Sequence, residues 1–412
     1  MYNKKDMTAP GIGYQDLRLM QGYPPPREKQ VAQHNWDSPP YNRWSFQHMS
    51  QLFPVAAIHR SPGPVTELER NERSLDDVRF QRVDGGQTDL ATFLTDSYTD
   101  GFLVLHQGKV VSEQYFNGMQ PHTLHLLQSV SKTVVGSLVG RLIGQGRIDP
   151  QARVSHYVPE LSASGYGDAR VQDLLDMRTG VRFREDYTDP DAEFIQLDIA
   201  SGWRERGERE SPDSIYGLLK SLSKDREHGQ FFEYRSVDTD VLAWVCERAC
   251  GERLPVLLSR EIWSRLGAEQ DANITLDCVG TALADGGMSA TLRDLGRFAQ
   301  MYLQGGRFNG QQIVPEEFVR ACGRGSTPAF EVLYGFYVKH FPNGAYSNQC
   351  WVLDSEQGTY SARGVFGQSI YWDPASEVAI VKLSSWPDFI NAEWTLNTFR
   401  ACAAVVEELQ RS

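Results

Sequence analysis

Residues 125–150 read HLLQSVSKTVVGSLVGRLIGQGRIDP. After the first few positions, Val134, Val135, Leu138, Val139, Leu142 and Ile143 recur at helical spacing and make a broad apolar face. Gly136 and Gly140 on the same stretch permit close approach of another element. The pattern predicts a core helix with Ser129 in its first turn. A helix of this kind must be covered by the rest of the chain, so the flanking elements decide the fold.

Upstream, GFLVLHQGKVVSEQYFNG (101–118) has two β-branched runs around Gln107-Gly108, a predicted β-hairpin. From about 150 to 285 the pattern is mostly helical. It includes VQDLLDM (171–177) and VDTDVLAWVCERACG (237–251), with Asp238 as a start cap and Gly251 as the end. Thr291 is a candidate N-cap for a helix closed by Gly305-Gly306. YGFYVKHF (334–341), GVFGQSIYWD (364–373) and EVAIVKLSSW (377–386) read as strands, the last two joined at Asp373-Pro374. An amphipathic helix, AEWTLNTFRACAAVVEEL (392–409), follows.

Strands at both ends and helices between predict a mixed α/β (α+β) fold. Its central sheet is mainly antiparallel, flanked by helices, with a helical insertion. The expected domains are 66–150 together with 286–412 for the sheet, and 151–285 for the helices. Residues 1–65, rich in Pro, Tyr, Gln and Asn, form an extended arm with one short helix over FQHMSQLF (46–53). Its aromatics Tyr23, Trp36, Tyr41 and Trp44 predict packing on the body rather than disorder.

A net charge of -12 argues against a general nucleic-acid or anionic-membrane binder. No apolar run is long enough for a membrane span, and no signal peptide is visible, so a cytoplasmic protein is expected. The six cysteines include no C-x-x-C pair and read as buried thiols. The histidines show no ligand spacing; His122 and His125 read as structural. There is no H-E-x-x-H, P-loop or G-x-G-x-x-G, so neither a metal nor a cofactor is expected.

S-x-x-K occurs twice, at Ser129-Lys132 and Ser221-Lys224. The second copy ends a short surface helix, where a lysine is explained by the helix dipole. The first opens the core helix. Residues three apart there share a face, with Cβ atoms about 5–6 Å apart, and the helix start favours a developing oxyanion. A desolvated Lys132 could lose its proton and serve as a base for Ser129. The competing reading is a Ser N-cap followed by a solvated lysine. Tyr234, just before the next long helix, is a candidate proton shuttle or a half-buried loop tyrosine. The N–H of Val365, between Gly364 and Gly367, could join that of Ser129 in an oxyanion hole, or this is merely a Gly-containing strand.

In that order, S-x-x-K, Y-x-S and a Gly-containing strand resemble the serine β-lactamase and penicillin-binding-protein superfamily. The resemblance is closer to the 6-aminohexanoate-dimer (nylon-oligomer) hydrolase branch and its carboxylesterase relatives. It rests on NRWSFQHMSQLFPVAAIHR, HLLQSVSKTVVGSLVGRLIGQGRIDP, EDYTDP, SVDTDVLAWVCER, ADGGMSATLRDL, FGQSIYWDP and VKLSSWPD. It implies Ser129 as nucleophile, Lys132 as the partner taking its proton and Tyr234 as shuttle to the leaving group. The N–H groups of Ser129 and Val365 would hold the oxyanion. It further implies that Tyr187 closes over substrate, that Asp198 pairs with a substrate ammonium, and that Trp351 forms a pocket wall. Read without it, Asp198 is an exposed loop acid and Trp351 a core aromatic.

Two departures stand out. Gly364-Val365-Phe366-Gly367 carries no cation to hold a β-lactam carboxylate, which counts against lactamase or transpeptidase work. Asp285 stands where that branch tends to have a neutral or imidazole side chain. It could strengthen cation binding beside Asp198 or repel a substrate carboxylate. The expected activity is hydrolysis of linear ω-amino-acid amides such as 6-aminohexanoate dimer through an acyl-enzyme. A short-chain carboxylesterase is the alternative, and a non-enzymatic ligand sensor is third. The expected partner is a small amide or ester, with no nucleic acid and no membrane; the resemblance also implies a homodimer.

Overall fold

The computed structural model describes residues 9–208, 211–325 and 339–411. The largest sheet has seven antiparallel strands. In chain order these are β1 (Thr99–His106), β2 (Lys109–Tyr115), β3 (Ala345–Ser347), β4 (Cys350–Asp354), β5 (Thr359–Gly364), β6 (Gln368–Asp373) and β7 (Val378–Ser384). Their spatial order is β3-β4-β5-β6-β7-β1-β2. The N-terminal hairpin therefore closes onto the last strand, with Ile380 opposite Val104. The hairpin turns at Gln107-Gly108, both at positive φ, the geometry a two-residue hairpin loop requires.

The core helix is α1 (Val130–Gly144), buried on nearly every side, as expected of a helix wrapped by other elements. It lies between the sheet and α2 (Ser236–Cys250). Gly140 faces the ring of Phe318, which a Cβ would meet at 2.7 Å. On the sheet's same side runs α3 (Leu292–Leu303), where Thr291 accepts from the backbone N–H of Asp294 as its N-cap. The terminal helix α4 (Ala392–Arg411) packs Phe399, Cys402, Val405 and Leu409 with Phe102 and Val104 in a second core.

Several sequence expectations change. Asp238 does not cap α2: it sits inside the first turn, with its carboxylate accepting from Tyr166 and Thr179. Gly251 does end that helix, in the left-handed conformation at φ 72°. The predicted helix over 46–53 reduces to a 3-10 turn at Met49–Gln51, after a short helix at Asn42–Ser45. Val365 lies not on a strand but in a tight turn, Val365–Gly367, between β5 and β6. The predicted strand at 334–341 falls mostly outside the described residues. A second, four-stranded sheet was not anticipated. It pairs Val55–Ile58 with Ala272–Thr275, then Met288–Ala290 and His125–Leu126.

In the N-terminal region Trp36 and Trp44 are buried, whereas Tyr23 is fully exposed. Cys246, Cys322, Cys350 and Cys402 are buried thiols; Cys250 is only partly covered and Cys278 is exposed. Among the described residues no helix is long and apolar enough to cross a membrane, and no metal-holding cluster occurs.

Candidate active site

Ser129 stands at the mouth of α1 because the residue before it, Gln128, takes a positive φ of 49°, turning the chain sharply from a short strand into the helix. Ser129 spends no side-chain bond on capping that helix. Its Oγ instead accepts from Lys132 Nζ at 2.9 Å, and it also bonds to the Tyr234 hydroxyl. Lys132 is only 1% exposed, so the cap-plus-solvated-lysine reading fails on both residues. Its ammonium donates further to the backbone oxygen of Asp285 at 2.8 Å and to the Asp285 carboxylate at 3.3 Å. It also lies 5.2 Å from the Tyr234 ring centre.

Lys132 is desolvated, but a neutral lysine is not what this surrounding favours. Burial pulls the Lys132 pKa down, but Tyr234, Asp285 and Glu185 outweigh it and hold the ammonium above its ordinary range. Tyr234 is pushed up by burial and by Glu185, against the pull of Lys132. Behind Asp285 lies Asp240, fully enclosed and raised well above the ordinary carboxylate range by burial and then by Asp285. Asp240 Oδ2 and Asp285 Oδ1 are both buried without a hydrogen-bond partner. Asp240 Oδ1 accepts from the backbone N–H groups of Ala284 and Asp285, which fixes the loop carrying Asp285.

Glu185, which the sequence reading passed over, organises the opposite wall. It accepts from the Ser236 backbone N–H at 2.9 Å, the Ser236 hydroxyl at 2.6 Å and the Tyr187 hydroxyl at 3.0 Å. Burial raises its pKa. Its only sequence signal was its place as the first residue of EDYTDP (185–190). Tyr187 is held by that bond and stacked on Phe389 at 5.7 Å.

Two cavities meet at Ser129, Tyr187 and Val365. The larger, about 240 Å³, is walled by Trp351, Trp386, Phe389, Ile390 and Phe399. Trp351 stacks on Tyr234 at 5.3 Å, so it is both wall and packing. Arg363 also lines this cavity, with its guanidinium 4.8 Å above the Trp351 ring. The cation missing from Gly364–Gly367 thus stands one residue ahead of them. The smaller cavity, about 20 Å³, is lined by Asp198, Asp285, Trp203 and Leu197. Asp198 is no exposed loop acid: burial pushes its pKa up to about 7, opposed by Arg204 and reinforced by Asp37 and Asp285. Arg204 donates to its carboxylate at 3.2 Å.

Gly364 carries the turn bearing Val365 against the Ser129 loop. A Cβ there would meet the Leu127 carbonyl oxygen at 2.8 Å and Gln128 Cβ at 3.0 Å. The second S-x-x-K is different. Ser221 Oγ donates to the Leu218 carbonyl, and Lys224, beyond the helix end, pairs with Asp168 at 2.8 Å and Glu227 at 3.2 Å. His125 is buried and bonded to Asp100 at 3.0 Å.

The Beta-lactamase family profile matches residues 94–404. A 6-aminohexanoate-dimer hydrolase of Paenarthrobacter ureafaciens is 39% identical over 388 residues, 94% of this chain and 95% of that protein. A solved Bacillus anthracis structure named "Putative 6-aminohexanoate-dimer hydrolase" superposes with a TM-score of 0.85 at 30% identity, covering 94% of this chain and 99% of the other. A family VIII carboxylesterase shares the fold at 16% identity and a TM-score of 0.57, over 76% of this chain and 95% of its own. By sequence along nearly its whole length and by fold, the chain belongs to the beta-lactamase family and is a hydrolase of that family.

Proposed function

We propose that the protein hydrolyses linear amides of ω-amino acids, of the 6-aminohexanoate-dimer type, through an acyl-enzyme on Ser129. The observation that carries this is the position of Ser129 Oγ. It lies 2.9 Å from Lys132 Nζ, where a small acidic cavity meets a larger apolar one. The acidic cavity suits the ammonium end of the acyl half, and the aromatic cavity suits the leaving half.

Ser129 Oγ attacks the carbonyl carbon while its proton passes to the Lys132–Tyr234 pair. The N–H groups of Ser129 and Val365 receive the oxyanion. Collapse breaks the C–N bond, and Tyr234 returns a proton to the leaving amine. Water then attacks the acyl-enzyme, its proton again taken by the pair, and the carboxylic acid leaves. Because both Lys132 and Tyr234 hold their protons tightly at rest, the base form grows in as pH rises. The similarity to a relative with this named activity supports the amide reading.

Ester hydrolysis is the second reading, favoured by one contact: Arg204 occupies the Asp198 carboxylate, leaving an acyl pocket that accepts neutral groups. The test is turnover of 6-aminohexanoate dimer and of p-nitrophenyl esters by the native protein, Ser129→Ala, Tyr187→Phe and Asp198→Ala. Ser129→Ala is expected to lose at least about 10⁴-fold in kcat on both; full activity there overturns the mechanism. If Tyr187→Phe and Asp198→Ala leave dimer turnover intact, the amide specificity is wrong and the esterase stands. The family resemblance also supports a cytoplasmic homodimer, which sedimentation would test.

A further inference from the structure

We propose that Arg204 is a built-in rival of the substrate's ammonium: it holds the Asp198 carboxylate in the free protein and yields it on binding, moving toward Asp37 of the N-terminal arm. This deepens the amide reading above and rests on it for Asp198 as the ammonium's partner.

The Arg204–Asp198 pair is loosely made. Arg204 Nε and Nη2 both donate to one oxygen, Asp198 Oδ2, at 3.3 and 3.2 Å. That is neither the two-oxygen fork nor the ~2.7–2.9 Å of a strong ionic hydrogen bond. The two side chains also differ in their surroundings. Asp198 lines the acyl cavity and is 15% exposed, whereas Arg204 is 40% exposed and can trade its carboxylate for water at little cost. No backbone need follow it. The N–H groups of Trp203 and Arg204 donate to the Asp198 backbone oxygen at 2.9 and 3.1 Å, and Trp203 Nε1 donates to Thr275 Oγ1 at 3.2 Å. From the arm, Trp36 Nε1 donates to the Trp203 carbonyl oxygen at 3.0 Å and Gln33 Nε2 to that of Gly202 at 2.7 Å. The segment stays pinned while the guanidinium swings.

The arm also brings the second carboxylate. Asp37, next to Trp36, is half-buried and accepts from the Ser38 hydroxyl at 3.4 Å. The Arg204 charge pulls its pKa down against burial, and the charge of Asp37 in turn pushes that of Asp198 up. Two acids thus share one guanidinium. An arriving ammonium supplies a second cation: it takes Asp198, and Arg204 keeps a partner in Asp37. A neutral acyl group brings no cation and leaves the pair in place. Substrates are then sorted by whether the acyl half carries an amine, and Arg204 sets how tightly that amine is held.

Binding of N-methyl-6-aminohexanamide and of N-methylhexanamide, the same chain without its amine, is measured by calorimetry on Ser129→Ala protein. The pair is then measured on that protein carrying Arg204→Met, Arg204→Lys, Asp37→Asn, Asp198→Asn, or Arg204→Met with Asp37→Asn. Burial raises the Asp198 pKa to about 7 and Arg204 opposes the rise. The measurements are therefore made at about pH 9, where Asp198 is ionised in every variant that keeps it and an alkyl ammonium is still charged. Arg204→Met is expected to tighten the amine about tenfold and leave the neutral ligand unchanged. Arg204→Lys, which keeps a cation there, restores most of the native value. Asp37→Asn weakens the amine severalfold where Arg204 is present and not at all beside Arg204→Met. An amine affinity that Arg204→Met leaves unchanged or weakens overturns the exchange. So does an Asp37→Asn loss of equal size in both backgrounds, or a change common to both ligands, which reports damage to the cavity. Asp198→Asn tells that failure from failure of the amide reading. If it abolishes the amine's advantage while Arg204→Met does nothing, Asp198 holds the ammonium and only the exchange is wrong. If it leaves both affinities alone, both are wrong.

Discussion

Lys132 Nζ donates to Asp285 twice, to its backbone oxygen at 2.8 Å and to its carboxylate at 3.3 Å, while the same ammonium donates to Ser129 Oγ. The proposed base and the acid beside it are thus held as one unit. The carboxylate keeps the lysine charged, and the charged lysine cannot take the serine's proton.

Removing that carboxylate tests the coupling. Lys132 is raised above its ordinary value partly by Asp285, so Asp285→Asn lowers it and leaves more free amine at any pH below it. The acid limb of kcat/KM for a neutral p-nitrophenyl ester is expected to move to lower pH, with severalfold higher ester turnover at pH 7. A limb that stays put or moves to higher pH contradicts Lys132 as the base.

Gly364 offers a separate handle on the proposed oxyanion donor, the Val365 N–H. An alanine Cβ there meets the Leu127 carbonyl oxygen at 2.8 Å, and the turn bearing Val365 must back away from Ser129. Gly364→Ala should lower kcat by about 10²–10³ on ester and amide alike, the cost of losing one oxyanion-hole donor. Unaltered kcat would place the oxyanion elsewhere.

As the proposed partner of a substrate ammonium, Asp198 would set a pH dependence on binding rather than on chemistry. Burial pushes its pKa up to about 7; above that value it is a carboxylate, and below it the group is neutral and loses its hold on a cation. KM for an ammonium-bearing amide is therefore expected to climb as pH falls through about 7. KM for a neutral ester should be flat over the same range. Parallel behaviour of the two substrates would show that Asp198 does not contact the ammonium.

Lys382, on β7, is enclosed far from solvent, bonded to Ser384 and 3.4 Å from the Ser97 carbonyl oxygen. Burial pulls its pKa down to about 7, against the field of Asp100; an unfolded lysine sits near about 10.4. Between those values the unfolded chain holds a proton that the folded chain lacks, so stability rises with pH through that window. Below about 7 both forms are protonated and the penalty is constant. Lys382→Met should remove this slope and stabilise the protein at pH 7 by about 1–4 kcal/mol. Chemical denaturation at pH 7 and pH 10 measures both; equal slopes in the two proteins would count against a buried, proton-losing lysine.

Much of this was written in local pattern. The helical period from Val134 to Ile143, the Gln107-Gly108 turn and the Asp373-Pro374 turn depend on residues within a few positions of one another. So they were legible, and with them the antiparallel sheet assembled from both ends of the chain. The order of S-x-x-K, Tyr234 and Gly364 was legible for the same reason, once a family resemblance supplied the order to look for. The strands β3, β4 and β5 were not read, because short strands buried on both faces have no period of their own. The small sheet joins segments more than two hundred residues apart, such as Val55 and Thr275, and no local signal marks such a pairing.

By itself the sequence determined which residue types were present and which helix carried Ser129. Tertiary structure alone decided how they are charged. Burial could have left Lys132 neutral, and it is indeed buried. Its protonation is set instead by Asp285, Glu185 and Tyr234, brought in from three other parts of the chain. Arg363 was passed over because its motif was read as a string, whereas its guanidinium reaches the cavity by leaning on Trp351 of the neighbouring strand. Electrostatic energy depends on distance in space, which sequence separation does not encode.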